Sequence, residues 1–232
     1  MGENEKYLDG NKEYWEKGYE APNVDHHMFR FFGRILRPEF QLPQNNEKLL
    51  DFGCGQGAAV NYFHINGFNA QGVDISHADI SAAQIRYPHI KDKFSICDVS
   101  PTTQGYYGNE TQYKVITAFQ SLYYFSEADF KVLISRLYDQ LEPGGVFFAT
   151  MMGTKSSQFY NNSQPTEDDW LRKVEFSDSR LDVKDYFMFF VEDENDLKDK
   201  FSAFKPLHVG YYAAKLRSDE GDGFHYTFCG MK

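Results

Sequence analysis

Short apolar runs alternate with amphipathic segments from residue 47 to the end of the chain. Five runs come first and two more flank the polar turn SDEGDG; they lie at 48–53, 68–75, 93–99, 113–119, 145–152, 206–216 and 223–231. Strands that alternate with helices form parallel sheets, whereas two runs joined by a short turn form a hairpin. The pattern therefore predicts a doubly wound α/β sheet of seven strands, mostly parallel, with an antiparallel C-terminal hairpin. The segment 185–193 indicates a further strand.

The helices between these runs carry start and stop signals. Ser76 followed by Asp79 is typical of a capping box. Ser126 is a second N-cap, and the amphipathic helix after it is predicted to end at Pro143. These boundaries place the glycine-rich segment LLDFGCGQG (49–57) between a buried strand and a helix.

The first 46 residues differ in pattern from the rest. They predict an N-terminal helical cap (1–46) on a domain that spans 47–232, within a protein of one domain overall. HHMFRFFGRIL at 26–36 is typical of an amphipathic helix, which we expect to end at Pro38. A polar insertion at about 153–184 is either a plain surface excursion or a lid over a site.

Composition and net charge exclude several classes of binding partner. The formal net charge of −10 and the scattered Lys and Arg argue against nucleic acid, because an acidic chain repels polyphosphate. No run of about 18 apolar residues predicts a membrane span, and the polar N-terminus lacks a signal-peptide pattern. Cys54, Cys97 and Cys229 fit no zinc or disulfide spacing. We expect a cytoplasmic protein with a small-molecule substrate.

The glycine-rich segment predicts a close approach of the backbone to a ligand. A loop that follows a strand and opens a helix presents backbone N–H groups and a helix N-terminus. The spacing from Gly53 to Ala58 also fits a nicotinamide-dinucleotide fingerprint. The glycines alone therefore leave the ligand open.

Three aspartates at successive strand ends favour a ligand without phosphate over a nicotinamide dinucleotide. Asp51 would repel a pyrophosphate but suits an ammonium group, Asp74 suits ribose hydroxyls, and Asp98 suits the exocyclic amine of an adenine. An amine, a ribose and an adenine without phosphate describe S-adenosylmethionine.

With these features the chain resembles the class I S-adenosylmethionine-dependent methyltransferases, which have a Rossmann-like sheet. The resemblance covers about 47–232 and rests on five ordered segments: LLDFGCGQG (49–57), VDIS (73–76), CDV (97–99), VITAFQSLYYF (115–125) and LEPGGVFFA (141–149). It implies that Gly53, Gly55 and Gly57 line the methionine part of the cofactor and that Asp51 contacts its amine. It also implies that Asp74 holds the ribose, with Ile75, Asp98 and Val99 around the adenine. Phe119, Gln120 and Ser121 would form the floor where the methyl group meets its acceptor.

The acceptor side of the site carries weaker signals. The candidate bases are His26, His27 and Tyr123, although both histidines equally fit a helix start capped by Asp25. Arg30 and Arg34, one helical turn apart, are candidate anion-binding residues or plain surface arginines. Adjacent side chains on a helix point apart, so we expect no metal site at residues 25–27.

Aromatic residues add further candidates. Tyr14 and Tyr19 are candidates to cover the cofactor, and Trp15 and Tyr124 to bind the acceptor, by cation–π or stacking contacts. The three near the N-terminus equally fit the apolar face of a cap helix.

These features predict an enzyme that methylates a small polar molecule or a sugar- or phosphoramidate-type precursor at oxygen or nitrogen. In-line transfer from an activated sulfonium would depend mainly on orientation, and S-adenosylhomocysteine would be the product. Two alternatives remain open at this stage: a nicotinamide-dinucleotide-dependent oxidoreductase, and a non-catalytic adenosyl-binding protein.

Overall fold

The computed structural model describes residues 23–100, 102, 105–175, 186–218 and 221–232. The strands found there are β1 (Lys48–Phe52), β2 (Asn69–Asp74), β3 (Phe94–Ile96), β4 (Tyr113–Ala118), β5 (Leu141–Met152), β6 (Ser163–Pro165), β7 (Arg172–Val174), β8 (Phe187–Met188), β9 (Lys205–Ala214) and β10 (Gly223–Met231). The α-helices are α1 (His26–Phe31), α2 (Arg37–Phe40), α3 (Ala58–Ile65), α4 (His77–Arg86), α5 (Glu127–Gln140), α6 (Ser157–Tyr160) and α7 (Glu194–Lys200).

The main sheet has seven strands in the order β3-β2-β1-β4-β5-β10-β9. Strands β1 to β5 pair in parallel, whereas β10 is antiparallel to both β5 and β9. The strands next to the centre are buried almost throughout, as expected for a sheet covered by helices on both faces. The predicted fold class, including the C-terminal hairpin, is confirmed.

The segment predicted as a further strand at 185–193 contains the short strand β8, which does not join the main sheet. β8 belongs to a separate three-stranded sheet in the order β6-β7-β8. Residues 186–191 are all buried. A short apolar run that is buried on every side cannot be assigned to a sheet from its periodicity.

The predicted caps of two helices are confirmed. The Ser76 side chain accepts a hydrogen bond from the Asp79 amide at 3.2 Å and caps α4. The Ser126 side chain accepts from the Asp129 amide at 3.3 Å and caps α5. These hydrogen bonds use amides that have no partner within the first helical turn.

The N-terminal helix does not end at Pro38. After α1 the chain continues as a π-helical segment, Phe32–Leu36, and then as α2, with Pro38 in the first turn of α2. Met28, Phe31, Phe32 and Leu36 are buried in one core cluster with residues of β1, α3 and β5. This helix therefore packs on the same sheet as the rest of the chain.

The sheet order creates a crevice beside β1. From β1 the chain first moves towards β3 and then returns to β4 on the other side, so the strand order reverses between β1 and β4. The loops that leave the carboxyl ends of these two strands part at this point, and ligands of open α/β sheets bind there.

Candidate functional site

A cavity of about 430 Å³ lies at the carboxyl ends of the parallel strands. Its lining divides according to the sheet order. The acidic side comes from the ends of β1 to β3 and the segments after them, and comprises Asp51, Gly53, Cys54, Gly55, Gln56, Asp74, Ile75, Asp79 and Cys97. The aromatic side comes from the segment after β4, from β5 and β10, from α1 and the residue before it, from the insertion and from the segment after the insertion. It includes Asp25, Met28, Phe119, Gln120, Tyr123, Tyr124, Phe125, Met152, Phe159, Tyr186 and His225. The volume suits a ligand of cofactor size.

The glycines of the loop have different structural roles. All three have positive φ: 74° at Gly53, 50° at Gly55 and 81° at Gly57. A Cβ on Gly53 would overlap the Ser121 side chain, so only glycine lets the loop pass under the segment after β4. Gly53 and Gly55 line the cavity.

Gly57 does not line the cavity, which corrects the predicted role of the third glycine. It lies at the start of α3, where a Cβ would come within 2.5 Å of the Phe94 ring and 3.1 Å of the Ala83 methyl. Glycine is needed because the start of α3 packs closely against Phe94 of β3 and Ala83 of α4, not because a ligand approaches there.

Asp51 presents a buried carboxyl group to the cavity. It is 3% exposed, and the Thr117 hydroxyl donates a hydrogen bond to its Oδ1 at 2.7 Å. Burial raises its pKa from 3.8 to about 7, against the opposing effect of the Thr117 hydrogen bond. A cation beside this carboxyl group would stabilise the ionised form.

Asp74 connects the end of β2 to the glycine loop. Its Oδ2 accepts from the Gly55 amide at 2.8 Å, and its Oδ1 accepts from the Ser76 amide at 2.9 Å. Burial raises its pKa to about 6. Each carboxylate oxygen retains a lone pair, so a diol can still be bound at this position.

Asp79 is a lining residue that the sequence analysis treated only as part of a helix cap. It is 8% exposed, and the Gln56 side-chain amide donates to its Oδ1 at 3.3 Å. The acidic side therefore holds three carboxyl groups, those of Asp51, Asp74 and Asp79. Among the lining residues that the structure describes there is no Lys or Arg.

The residues predicted around an adenine divide into two groups. Ile75 lines the cavity, and so does Cys97. Asp98 is exposed and accepts a hydrogen bond from the Ser100 amide at 2.8 Å, and Val99 is buried in the core; neither is among the lining residues. Burial alternates after β3: Cys97 and Val99 are buried, and Asp98 between them is exposed.

The floor predicted at residues 119–121 does line the cavity. Gln120 has φ 52°, and its backbone N–H donates to the Thr150 hydroxyl oxygen at 2.9 Å. Its side-chain amide donates to the Tyr212 hydroxyl oxygen at 2.9 Å, which connects the floor to β9. A left-handed non-glycine residue held by two hydrogen bonds is typical of functional sites.

Tyrosine hydroxyls form the polar part of the aromatic side. The hydroxyls of Tyr124 and Tyr186 are 2.8 Å apart. Tyr123 also lines the cavity, but burial raises the pKa of its hydroxyl well above the usual value of 10.0. Tyr123 therefore stays protonated near neutral pH, which does not favour its predicted role as a base.

His225 is a lining residue that the sequence analysis missed. It is 6% exposed, its ring stacks on Tyr212 with centroids 4.9 Å apart, and its Nε2 lies 3.5 Å from the Tyr123 hydroxyl. Burial lowers its pKa to about 4, so the ring is neutral. The register could have located it: β10 is antiparallel, so its first residues, with His225 opposite Met152, lie at the carboxyl end of β5.

The structure does not bring His26 and His27 to the cavity. The His26 side chain is 63% exposed. His27 is packed against the Tyr212 ring, with centroids 3.5 Å apart, and its Nδ1 is 2.8 Å from an Asp25 carboxylate oxygen. Burial lowers the pKa of His27. The lining residue in this segment is Asp25.

Arg30 and Arg34 are exposed and do not line the cavity. Met28, Phe31 and Phe32 face the core, so the arginines between and after them face solvent. The prediction that they bind the acceptor finds no support in this arrangement.

The side chains of residues 25–27 do not point apart as expected. One potential ligand atom from each of Asp25, His26 and His27 lies within 4.8 Å of the others. Asp25 precedes the helix in extended conformation, so its carboxylate folds back over the first turn and accepts from the His27 amide at 2.7 Å. This carboxylate therefore already serves as an N-cap.

Tyr14, Trp15 and Tyr19 lie outside the described residues, so their predicted contacts stay predictions. The insertion is structured over residues 153–175, where α6, β6 and β7 form, and it contributes Phe159 to the cavity. In the part of the chain that the structure describes, no helix is long and apolar enough to cross a membrane.

A seven-stranded sheet with a reversed β10 and an acidic cavity at the ends of β1 to β3 defines the class of the methyltransferases. A family described as a methyltransferase domain matches residues 24–199. The chain belongs to this family.

Solved structures agree with this class at the level of the fold. A methyltransferase dependent on S-adenosylmethionine (SAM) from Methanosarcina mazei has a TM-score of 0.65 and 15% identity, covering 83% of this chain and 95% of its own. An S-adenosylmethionine-dependent methyltransferase from Clostridium acetobutylicum has a TM-score of 0.64 and 18% identity. The match covers 90% of this chain and 92% of that protein. Phosphoethanolamine N-methyltransferase 2 from Haemonchus contortus, solved with SAM, has a TM-score of 0.59 and 14% identity, covering 97% and 57%. Curated proteins give no match.

Proposed function

We propose that the cavity binds S-adenosylmethionine and that the chain transfers its methyl group to a small polar molecule. The observation that carries this proposal is the acidic side: Asp51, Asp74 and Asp79 face one cavity, without a Lys or Arg among the described lining residues. Such a surface repels a pyrophosphate and attracts a ligand that carries an ammonium and a sulfonium group. This argues against a nicotinamide dinucleotide, which shares the glycine spacing.

The chain offers a separate group to each part of this cofactor. Asp51 suits the ammonium group, since a positive charge there offsets the cost of burying its carboxylate. Asp74 suits the ribose diol, with its carboxylate fixed by the amides of Gly55 and Ser76. Ile75 lines the same side and suits the face of the adenine.

S-adenosylmethionine supplies an activated methyl group on a sulfonium when it is bound. What the chain itself does is orient the acceptor and exclude water. Tyr123, Tyr124 and Phe125 are nearly fully buried and form a rigid wall. Fixed orientation of two reactants accounts for about 7–11 kcal/mol of barrier reduction in well-aligned systems.

For the acceptor we retain the small polar molecule, with transfer to nitrogen or oxygen. The phosphoramidate-type acceptor is less well supported, because the described lining offers no cationic side chain to a phosphate. His225 does not replace one, since its lowered pKa keeps it neutral.

Isothermal titration with S-adenosylmethionine and with NADH tests the cofactor. We expect S-adenosylmethionine to bind with Kd below about a millimolar and NADH not to bind. The Asp74→Asn substitution should weaken S-adenosylmethionine at least about tenfold, because an amide cannot accept from both backbone groups and the diol. Asp98→Asn is the matched control. Equal losses in both variants would restore Asp98 to the site, and an unchanged affinity in Asp74→Asn would refute the ribose assignment.

Formation of S-adenosylhomocysteine distinguishes an enzyme from a protein that only binds the cofactor. A panel of small alcohols and amines, incubated with protein and S-adenosylmethionine, should yield S-adenosylhomocysteine above the rate without acceptor. If no acceptor raises the rate of S-adenosylhomocysteine formation above the rate without acceptor, a protein that only binds the cofactor is favoured.

A further inference from the structure

The aromatic side of the cavity has a composition of its own. Rings from Phe119, Tyr123, Tyr124, Phe125, Phe159 and Tyr186 face the space, and Asp25 is the one carboxylate that α1 contributes. The only basic side chain among these described lining residues is that of His225. A wall of aromatic rings with a carboxylate at one end attracts a cation, because the ring faces and the carboxylate are both negative.

The geometry points to a specific acceptor: we propose that the aromatic side takes an amine, cationic in solution, and that Asp25 holds it against the tyrosine rings. Before transfer the ammonium releases one proton to solvent. The nitrogen lone pair then bonds to the methyl carbon while the carbon–sulfur bond breaks, so that S-adenosylhomocysteine leaves and the methylated ammonium is the product. This inference rests on the proposed function and narrows its substrate class. A carboxylate or phosphate ester would place a second anion beside Asp25, with no positive side chain among the described lining residues.

The position of Asp25 fits this role. About two fifths of its side chain (38%) is exposed, and its backbone is fixed as the N-cap of α1. His27, which hydrogen-bonds to the same carboxylate, is kept neutral by burial and so does not cancel its charge. The Asp25 carboxylate is thus held at the cavity by its position as the N-cap of α1.

Neutral groups in the same lining complement an amine. The Nε2 of His225 lies 3.5 Å from the Tyr123 hydroxyl, and the Tyr124 and Tyr186 hydroxyls pair at 2.8 Å. Hydroxyl oxygens and a neutral imidazole accept hydrogen bonds from N–H groups. The lowered pKa of His225 means that no second positive charge opposes the amine.

A charge series on one skeleton tests the inference. The probes are benzylamine, benzyl alcohol and benzyl phosphate, titrated into protein saturated with S-adenosylhomocysteine, so that no sulfonium is present. We expect benzylamine to bind about tenfold more tightly than either other probe, the size of a moderate cation–π and charge preference. Equal or tighter binding of the phosphate or the alcohol would overturn the inference, and so would the absence of binding by all three.

The Asp25→Asn variant tests the residue itself. Asparagine caps helices as well as aspartate does, so α1 should form normally while the charge is lost. We expect the preference for benzylamine to fall to about threefold or less. Asp193→Asn, at the N-cap of α7 outside the cavity, is the matched control and should keep the full preference. A second variant, Asp25→Ser, also caps the helix and should behave like Asp25→Asn.

The remaining outcomes are equally decisive. If Asp25→Asn keeps the full preference for the amine, the assignment of Asp25 fails although the proposed cofactor stands. If S-adenosylhomocysteine itself does not bind, the proposed function fails first and this inference fails with it.

Discussion

Asp51 has a pKa of about 7 in the unliganded protein because it is buried. A ligand ammonium binds its ionised form, so protons compete with the cofactor. We therefore predict that the Kd of S-adenosylmethionine is lowest near pH 8 and rises about tenfold per unit as the pH falls below 7. Below pH 6 the slope should steepen, because Asp74, with a pKa of about 6, also becomes protonated. Titration calorimetry between pH 5.5 and 8.5 measures this directly.

Thr117 provides the control for this prediction. Its hydroxyl donates to Asp51 and lowers the pKa of that carboxyl group. Thr117→Val keeps the shape but removes the hydrogen bond, so the pH midpoint should move upwards. Asp51→Asn should bind weakly and lose the dependence near pH 7. A pH profile that is the same in wild type and Asp51→Asn would contradict the assignment of the ammonium group.

The loop between β1 and α3 shows that one glycine pattern combines two functions. Gly55 has a positive φ, but a Cβ there would meet nothing within 4 Å. Gly57 has a positive φ and a Cβ would also overlap Phe94. We predict that Gly55→Ala costs about 1–2 kcal/mol from backbone strain alone and that Gly57→Ala costs about 1–3 kcal/mol more, from overpacking.

Thermal unfolding of the two variants measures this difference. For a chain of this size the melting temperature should fall by about 2–8 °C in Gly55→Ala and clearly further in Gly57→Ala. The two substitutions lie in one loop and each adds a single methyl group, so each variant is the control for the other. Equal melting temperatures would show that α3 can move away from Phe94 without cost.

At the scale of the whole molecule, the sequence was sufficient for the sheet but not for the far side of the site. The alternation of apolar runs gave the seven strands and the hairpin, and the strand-end aspartates Asp51 and Asp74 indicated the acidic side. His225 and Tyr186 were missed because no local pattern marks them. His225 reaches the cavity through the antiparallel register of β10, and Tyr186 through the packing of the segment just before β8.

Two predicted site residues lie away from the cavity for a similar reason, and their roles stay predictions. Arg30 has the chemistry to bind an anion, but the apolar face of α1 packs on the core and leaves the arginine exposed. Asp98 follows a strand, but it is exposed, and the neighbouring Cys97 lines the cavity instead. The type of a residue predicts a role in the site only when the face of the helix or strand that turns towards the cavity is also known.

The buried carboxyl group of Asp51 in the acidic cavity should lower the stability of the unliganded protein. The pKa of Asp51 is raised from 3.8 in the unfolded chain to about 7 in the folded protein. Its contribution is therefore most favourable below about pH 4 and is lost as the pH rises through 7. By linkage, the raised pKa lowers the free energy of unfolding by about 4 kcal/mol at pH 8 and by about 2 kcal/mol at pH 5.

We predict that Asp51→Asn is more stable than the wild type at pH 8 in the absence of ligand, by up to a few kcal/mol, and that the difference shrinks at pH 5. Urea denaturation at both pH values measures it. Asp193→Asn, at an exposed N-cap, should show no such pH-dependent gain. If Asp51→Asn is less stable at both pH values, the hydrogen bond with Thr117 outweighs the cost of burial. The opposite result, a stabilised variant that binds S-adenosylmethionine weakly, would show that this carboxylate is retained for the ligand at the expense of the fold.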